Sequence, residues 1–120
     1  MTVLSDDRSA GAETWTPVCR VEQIPVGGGV AALLDDGVQV AVLRTDDGEL
    51  HGLSNIDPFS GAAVLARGIV GDIGGVPVVA SPIYKQNFDL RTGRCLDDPD
   101  VGIATYPVRV VDGTVHVGVR

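Results

Sequence analysis

Three Asp-Gly pairs, Asp36-Gly37, Asp47-Gly48 and Asp112-Gly113, cut this chain into apolar stretches too short for helices. Asp-Gly supplies the positive φ that tight hairpins demand. Ala31–Leu34, Val38–Arg44 and Leu50–Ser54 therefore read as a meander, and Tyr106–Val111 with Thr114–Val119 as a further hairpin. In the last stretch Val115, Val117 and Val119 alternate with His116 and Gly118, the period of a half-buried strand. Another strand is expected at Val76–Ala80, where Pro77 favours a strand start or a sheet edge, and the first strand holds Cys19. Sixteen glycines argue against helix, since each costs about 1 kcal/mol relative to Ala in a helix interior. Only Ala62–Arg67 suits a helical turn, and Gly61 and Gly68 bracket it. The expected fold is all-β, a small sandwich or barrel.

A length of 120 residues suits one domain. Residues 1–14 lack periodicity and read as a disordered leader, with the domain spanning 15–120. That leader has no hydrophobic signal core, and no apolar run nears the ~18 residues that cross a bilayer. A cytoplasmic protein with no membrane partner is the expectation. The net charge of -7 opposes binding to a phosphate backbone, so nucleic acid is not an expected partner. The charge is uneven: residues 1–60 hold ten acids and three bases, residues 61–120 six of each. A partner-facing surface is better sought in the second half. Two cysteines, Cys19 and Cys95, cannot make a four-Cys metal site and read as free buried thiols.

Several candidate features carry little chemistry. Gly27-Gly28-Gly29 lacks the following helix of a dinucleotide site and the Gly-Lys-Ser/Thr of a P-loop, so it reads as a flexible loop. Asp97-Asp98-Pro99-Asp100 has no calcium-loop spacing and reads as a solvated turn. His51 and His116 read as strand-surface residues. No catalytic constellation emerges, and no metal site.

Two loops are informative, Gly52–Ala62 and Ala80–Gly93. In the second, Pro82 and the run Phe88-Asp89-Leu90-Arg91-Thr92-Gly93 resemble the cluster-binding loop of Rieske ferredoxins, as does Tyr106-Pro107-Val108 further on. The first loop resembles the Cys-x-His half of that motif, with Asn55-Ile56 before it. The resemblance spans Trp15 to Val119 and implies a Rieske-like [2Fe-2S]-type ferredoxin fold. A Rieske cluster is held by two thiolates on one iron and two imidazoles on the other. The matching positions here are Asp57 and Phe59 in the first loop, Ser81 and Tyr84 in the second, so all four ligands are replaced.

That combination resembles one family, the cluster-less small subunits of assimilatory NAD(P)H-dependent nitrite reductases. The resemblance rests on Ser54–Ser60, Leu65–Gly68, Ala80–Leu90 and Tyr106–Val110. It implies an accessory subunit without a cofactor of its own. Its partner would be a large catalytic subunit carrying FAD, sirohaem and an iron-sulfur cluster, which reduces nitrite to ammonia. The alternatives are an electron carrier with non-standard iron ligation and a small-molecule-binding module that uses the vacated loops. Both imidazole positions are aromatic in a chain with only five aromatic residues, so Phe59 and Tyr84 are expected to fill the cluster's space. By the same resemblance the loops form a partner-facing tip, with Arg67, Lys85, Arg91 and Arg94 as its bases.

Overall fold

The computed structural model describes residues 14–119, and the expected leader lies outside them except for Thr14, which already belongs to the first strand. Among the described residues ten strands form three antiparallel sheets: β1 (Thr14–Arg20), β2 (Gly29–Leu33), β3 (Gln39–Arg44), β4 (Leu50–Ser54), β5 (Ile69–Ile73), β6 (Val76–Ala80), β7 (Asn87–Asp89), β8 (Thr105–Tyr106), β9 (Val108–Val111) and β10 (Thr114–Val119). The outer sheet runs β1-β10-β9, the central sheet β2-β3-β4-β8 and the cap sheet β5-β6-β7. One apolar cluster joins Val115 and Val117 of the outer sheet to Val40 and Val42 of the central one. A second joins Ala41, Leu43 and Leu53 of the central sheet to Val79 and Phe88 of the cap. β3 thus buries both faces, which explains its unbroken apolar run Val40-Ala41-Val42-Leu43.

The Asp-Gly pairs turn the chain where expected, in two different ways. In the β9–β10 hairpin both Asp112 (φ 52°) and Gly113 (φ 79°) have positive φ, the two-residue form. At Gly37 and Gly48 only the glycine does; there the Leu34 N–H donates to the Val38 carbonyl and the Thr45 N–H to the Glu49 carbonyl, closing three-residue loops. Between them Asp35-Asp36-Gly37 and Asp46-Asp47-Gly48 take the bend.

Three expectations are corrected. Tyr106–Val111 is not one strand: it breaks at Pro107, so β8 pairs with β4 while β9 pairs with β10. A residue without an N–H marks the step from one sheet to the next. The glycine run is not a flexible loop, because the Gly27 N–H donates to the Arg44 carbonyl and the Arg44 N–H to the Gly28 carbonyl, each at 2.8 Å. It extends the β2–β3 ladder, and a Cβ at Gly29 would lie 2.5 Å from Leu43 Cδ2. Strand β7 falls inside a stretch expected to be loop, and β5 lies where no element was expected. Pro77 sits near the start of β6, as expected; β6 is nevertheless the middle strand of its sheet, since pairing with β7 begins only at Val78. A 3-10 turn at Leu65–Arg67 is the helical element expected there.

Candidate functional site

The two informative loops meet at one end of the cap. The first leaves β4 and is pinned by Asn55, a buried side chain whose Oδ1 accepts the Ala66 N–H at 2.7 Å. Its carbonyl accepts the N–H groups of Val64 and Leu65, so the loop is tied to the 3-10 turn behind it. The second loop leaves β6 and closes tightly: the Ser81 N–H donates to the Gln86 carbonyl and the Lys85 N–H to the Ser81 carbonyl, both at 3.0 Å. Lys85 closes that turn at φ 65°, a left-handed conformation that costs a residue with a Cβ more than it costs glycine.

The loops touch through two of the four ligand-position residues. Asp57 and Ser81 are both completely buried, and the Ser81 hydroxyl donates to Asp57 Oδ2 at 2.5 Å. Asp57 Oδ1 accepts the Phe59 N–H at 2.8 Å, and Ser81 Oγ accepts the Ile83 N–H at 3.3 Å. A buried carboxylate must be hydrogen-bonded to be tolerated, and here both oxygens are used. These are the two positions at which the resemblance places thiolates.

The two imidazole positions behave differently. Phe59 is half-buried against the second core cluster, its ring centroid 6.3 Å from that of Phe88. Tyr84 is 57% exposed. The expected filling of the cluster's space by both rings is therefore corrected: Phe59 packs inward on Phe88, and Tyr84 points outward because the five-residue turn Ser81–Lys85 holds it away from the core.

The four bases do not form one patch. Arg67 precedes Gly68 and Ile69, which pairs with Ala80, so with Lys85 it lies toward the tip end of β6. Arg91 and Arg94 lie toward the other end, where the Leu90 N–H donates to the Pro77 carbonyl and the Asp89 N–H to the Arg94 carbonyl. Four strand residues, about 13 Å, separate those ends. Arg91 is moreover committed to the nearly buried Asp89, with Nε 3.2 Å from Oδ1. Burial would raise the Asp89 pKa, yet the Arg91 guanidinium and backbone N–H groups outweigh it and hold the carboxyl below its usual range.

The remaining sequence candidates are placed as follows. His51 is not a surface residue: its side chain is only 9% exposed, with Nε2 3.4 Å from Glu49 Oε1. The Asp97 turn does more than meet solvent, since its Oδ2 accepts the Asn87 N–H at 2.7 Å and straps β7. Cys95 is buried in the second cluster and Cys19 packs on the first, so the thiols are separate and free. Burial pushes the Cys19 thiol pKa up, away from the thiolate form. A cleft of about 460 Å³ lies between the β3–β4 turn and β9, lined by Asp47, Glu49 and Arg109, away from both loops.

A family model described as a Rieske-like [2Fe-2S] domain matches residues 14–118. The nitrite reductase (NADH) small subunit of Salmonella typhimurium (strain LT2) is 40% identical over 104 residues, covering 86% of this chain and 95% of that protein. The chain belongs to the family of nitrite reductase small subunits. A crystal structure from Mycobacterium tuberculosis, assigned as an NADH-dependent nitrite reductase small subunit, superposes with a TM-score of 0.86 at 53% identity, covering 89% of this chain and 96% of that one. A nitrite reductase [NAD(P)H] large subunit from Klebsiella oxytoca is 41% identical over 104 residues; the match takes in 87% of this chain but spans only 11% of that protein's length.

The family model names a [2Fe-2S] cluster, and the donors at this member's tip do not fit one. The four positions offer a carboxylate and a hydroxyl already bonded to each other, a phenol facing outward, and a hydrocarbon ring. None is a thiolate or an imidazole, the ligands such a cluster takes. Neither thiol can stand in, because Cys95 is bridged to Phe88 inside the core and Cys19 belongs to β1.

Proposed function

We propose that this chain is the non-catalytic small subunit of an NAD(P)H-dependent nitrite reductase, which docks to a large catalytic subunit and supports its reduction of nitrite to ammonia in nitrogen assimilation. The observation that carries this reading is a double match. The chain spans nearly the full length of a separate small subunit and also matches a segment of a large-subunit chain. A domain that occurs both free and fused to the same catalytic chain is one that works against it.

With no donor set for a cluster, the chain's own contribution is physical: to bind, orient or stabilise the large subunit. The flavin, sirohaem and iron-sulfur cluster that the reaction requires are assigned to the partner. Of the bases Arg67, Lys85, Arg91 and Arg94, the reading gives the contact to Arg67 and Lys85, which share the tip end. The cytoplasm is the proposed compartment, supported by the two unpaired thiols. Among the described residues no helix is long and apolar enough to cross a membrane.

Co-expression with the large subunit tests this directly. The two chains are expected to co-purify, and NADH-dependent nitrite reduction is expected to fall when the small subunit is left out. The small subunit purified alone and anaerobically is expected to be colourless and free of stoichiometric iron. A reducible signal with two irons per chain would return electron transfer to this chain and overturn the accessory role.

A further inference from the structure

Loops Ser54–Gly61 and Ala80–Asn87 are rich in Ser, Asn, Pro and Gly, residues that suit turns in water. Their large apolar side chains nonetheless face outward: Ile56 is 37% exposed, Ile83 42% and Tyr84 57%. The three flank the joint between the loops, because Ile56 precedes Asp57 and the Ile83 N–H binds the Ser81 hydroxyl that holds Asp57. The single carboxylate in the two loops, Asp57, is buried, so the only charge they turn outward is the Lys85 ammonium. That is unusual for a chain of net charge -7.

Lys85 also occupies a backbone position made for glycine, at φ 65°, and its Nζ folds back to 3.0 Å from the Pro82 carbonyl beside Tyr84. A turn optimised only for stability would carry glycine there. Local strain of this kind gathers where a side chain is needed for contact. The joint beneath supplies rigidity: the Asp57–Ser81 hydrogen bond ties the loops where the resemblance puts one iron and its two thiolates, so the surface is held in shape without a metal.

We propose that Ile56, Ile83 and Tyr84 around Lys85 form a preorganised docking surface whose occupant is an apolar, carboxylate-bearing face of the nitrite reductase large subunit. This rests on the proposed function and names its contact. The charge fits, an exposed ammonium asking for a carboxylate in a ring of apolar contact, with Arg67 at the same end of the cap. The fusion fits as well, since a segment held permanently on a large-subunit chain is suited to an apolar contact.

Two exposed-site variants, Lys85→Gly and Tyr84→Ser, separate docking from folding when binding of the full chain to purified large subunit is titrated beside thermal melts. Lys85→Gly is expected to melt no lower than the unaltered chain, because it relieves the left-handed residue, yet to bind roughly threefold or more weakly with a shallower salt dependence. Tyr84→Ser is expected to leave the melt unchanged and to weaken binding roughly tenfold, as loss of an aromatic anchor does. If the unaltered chain binds and both variants match it, the surface is overturned while the accessory role stands. If the unaltered chain does not bind the large subunit, both are overturned.

Discussion

The two ends of the cap sheet each bury a carboxylate, and they solve the problem differently. At the tip, Asp57 is satisfied by a neutral hydroxyl and a backbone N–H. At the opposite end, Asp89 is satisfied by the Arg91 guanidinium and the Arg91 N–H. The second solution consumes a cation and the first does not. Among the described residues Lys85 makes no ion pair, whereas Arg91 is spoken for. A base count along the sequence treats these as equal, but the far end spends Arg91 on its carboxylate and, among the described residues, keeps only Arg94 outside an ion pair, its guanidinium donating to the Pro99 carbonyl. The tip spends no cation on its carboxylate.

The largest effect expected from breaking this contrast is at Asp57. Asp57→Ala removes the partner of the Ser81 hydroxyl and of the Phe59 N–H together, inside a fully buried joint. The cost is about 2–4 kcal/mol, from two orphaned buried donors and the cavity left behind. Asp57→Asn, which can still accept one bond and donate another, is expected to recover most of it. Urea unfolding of both variants decides the point. Equal losses for Ala and Asn would mean that charge, not hydrogen bonding, fastens the loops.

A smaller loss is expected at the outer part of the tip. Phe59 is half-buried, so Phe59→Ala is expected to cost about 1–2 kcal/mol, against about 3–5 for the fully buried Phe88 on which it rests. The sequence alone, reading Phe59 as filler for a vacated cluster, favoured the larger value. Denaturant midpoints for the two truncations give the ratio, and near-equal costs would restore the filling idea for Phe59.

The strands were legible wherever apolar residues stood between Asp-Gly turns, because hairpin turn chemistry and period-two burial are local properties. β5 was not, since Ile69-Val70-Gly71-Asp72-Ile73 is mostly exposed and prints no alternation. β7 was hidden by its length of three residues inside a loop-like run. The four ligand positions were legible only as a motif with its chemistry removed. Their fates diverged on a matter no pattern encodes: whether a side chain ends up between the two loops or outside them. Asp57 and Ser81 face each other across 24 residues of sequence. Neither a carboxylate beside proline nor a serine beside proline announces such a partner. The same blindness grouped four bases that the fold separates, because β6 carries the chain between their two locations.

The smallest expected effect sharpens the comparison at the far end. Asp89 is held below the usual carboxylate range even though burial acts the other way, because Arg91 and its N–H more than offset that burial. A depressed folded-state pKa means that the unfolded chain takes up the proton first as pH falls. The stability from this pair is therefore complete above the unfolded value of about 4 and is lost as pH drops through the lower folded value. Asp89→Asn is expected to be less stable than the unaltered chain at pH 7, and the gap should narrow progressively below about pH 4. Arg91 is more than half exposed, so the gap at neutral pH should be modest, as for partly solvated pairs. Urea midpoints at pH 7 and pH 3 measure it. A gap that stays constant with pH would show that the loss does not come from the Asp89 charge, and the two ends of the cap would then differ less than their charges suggest.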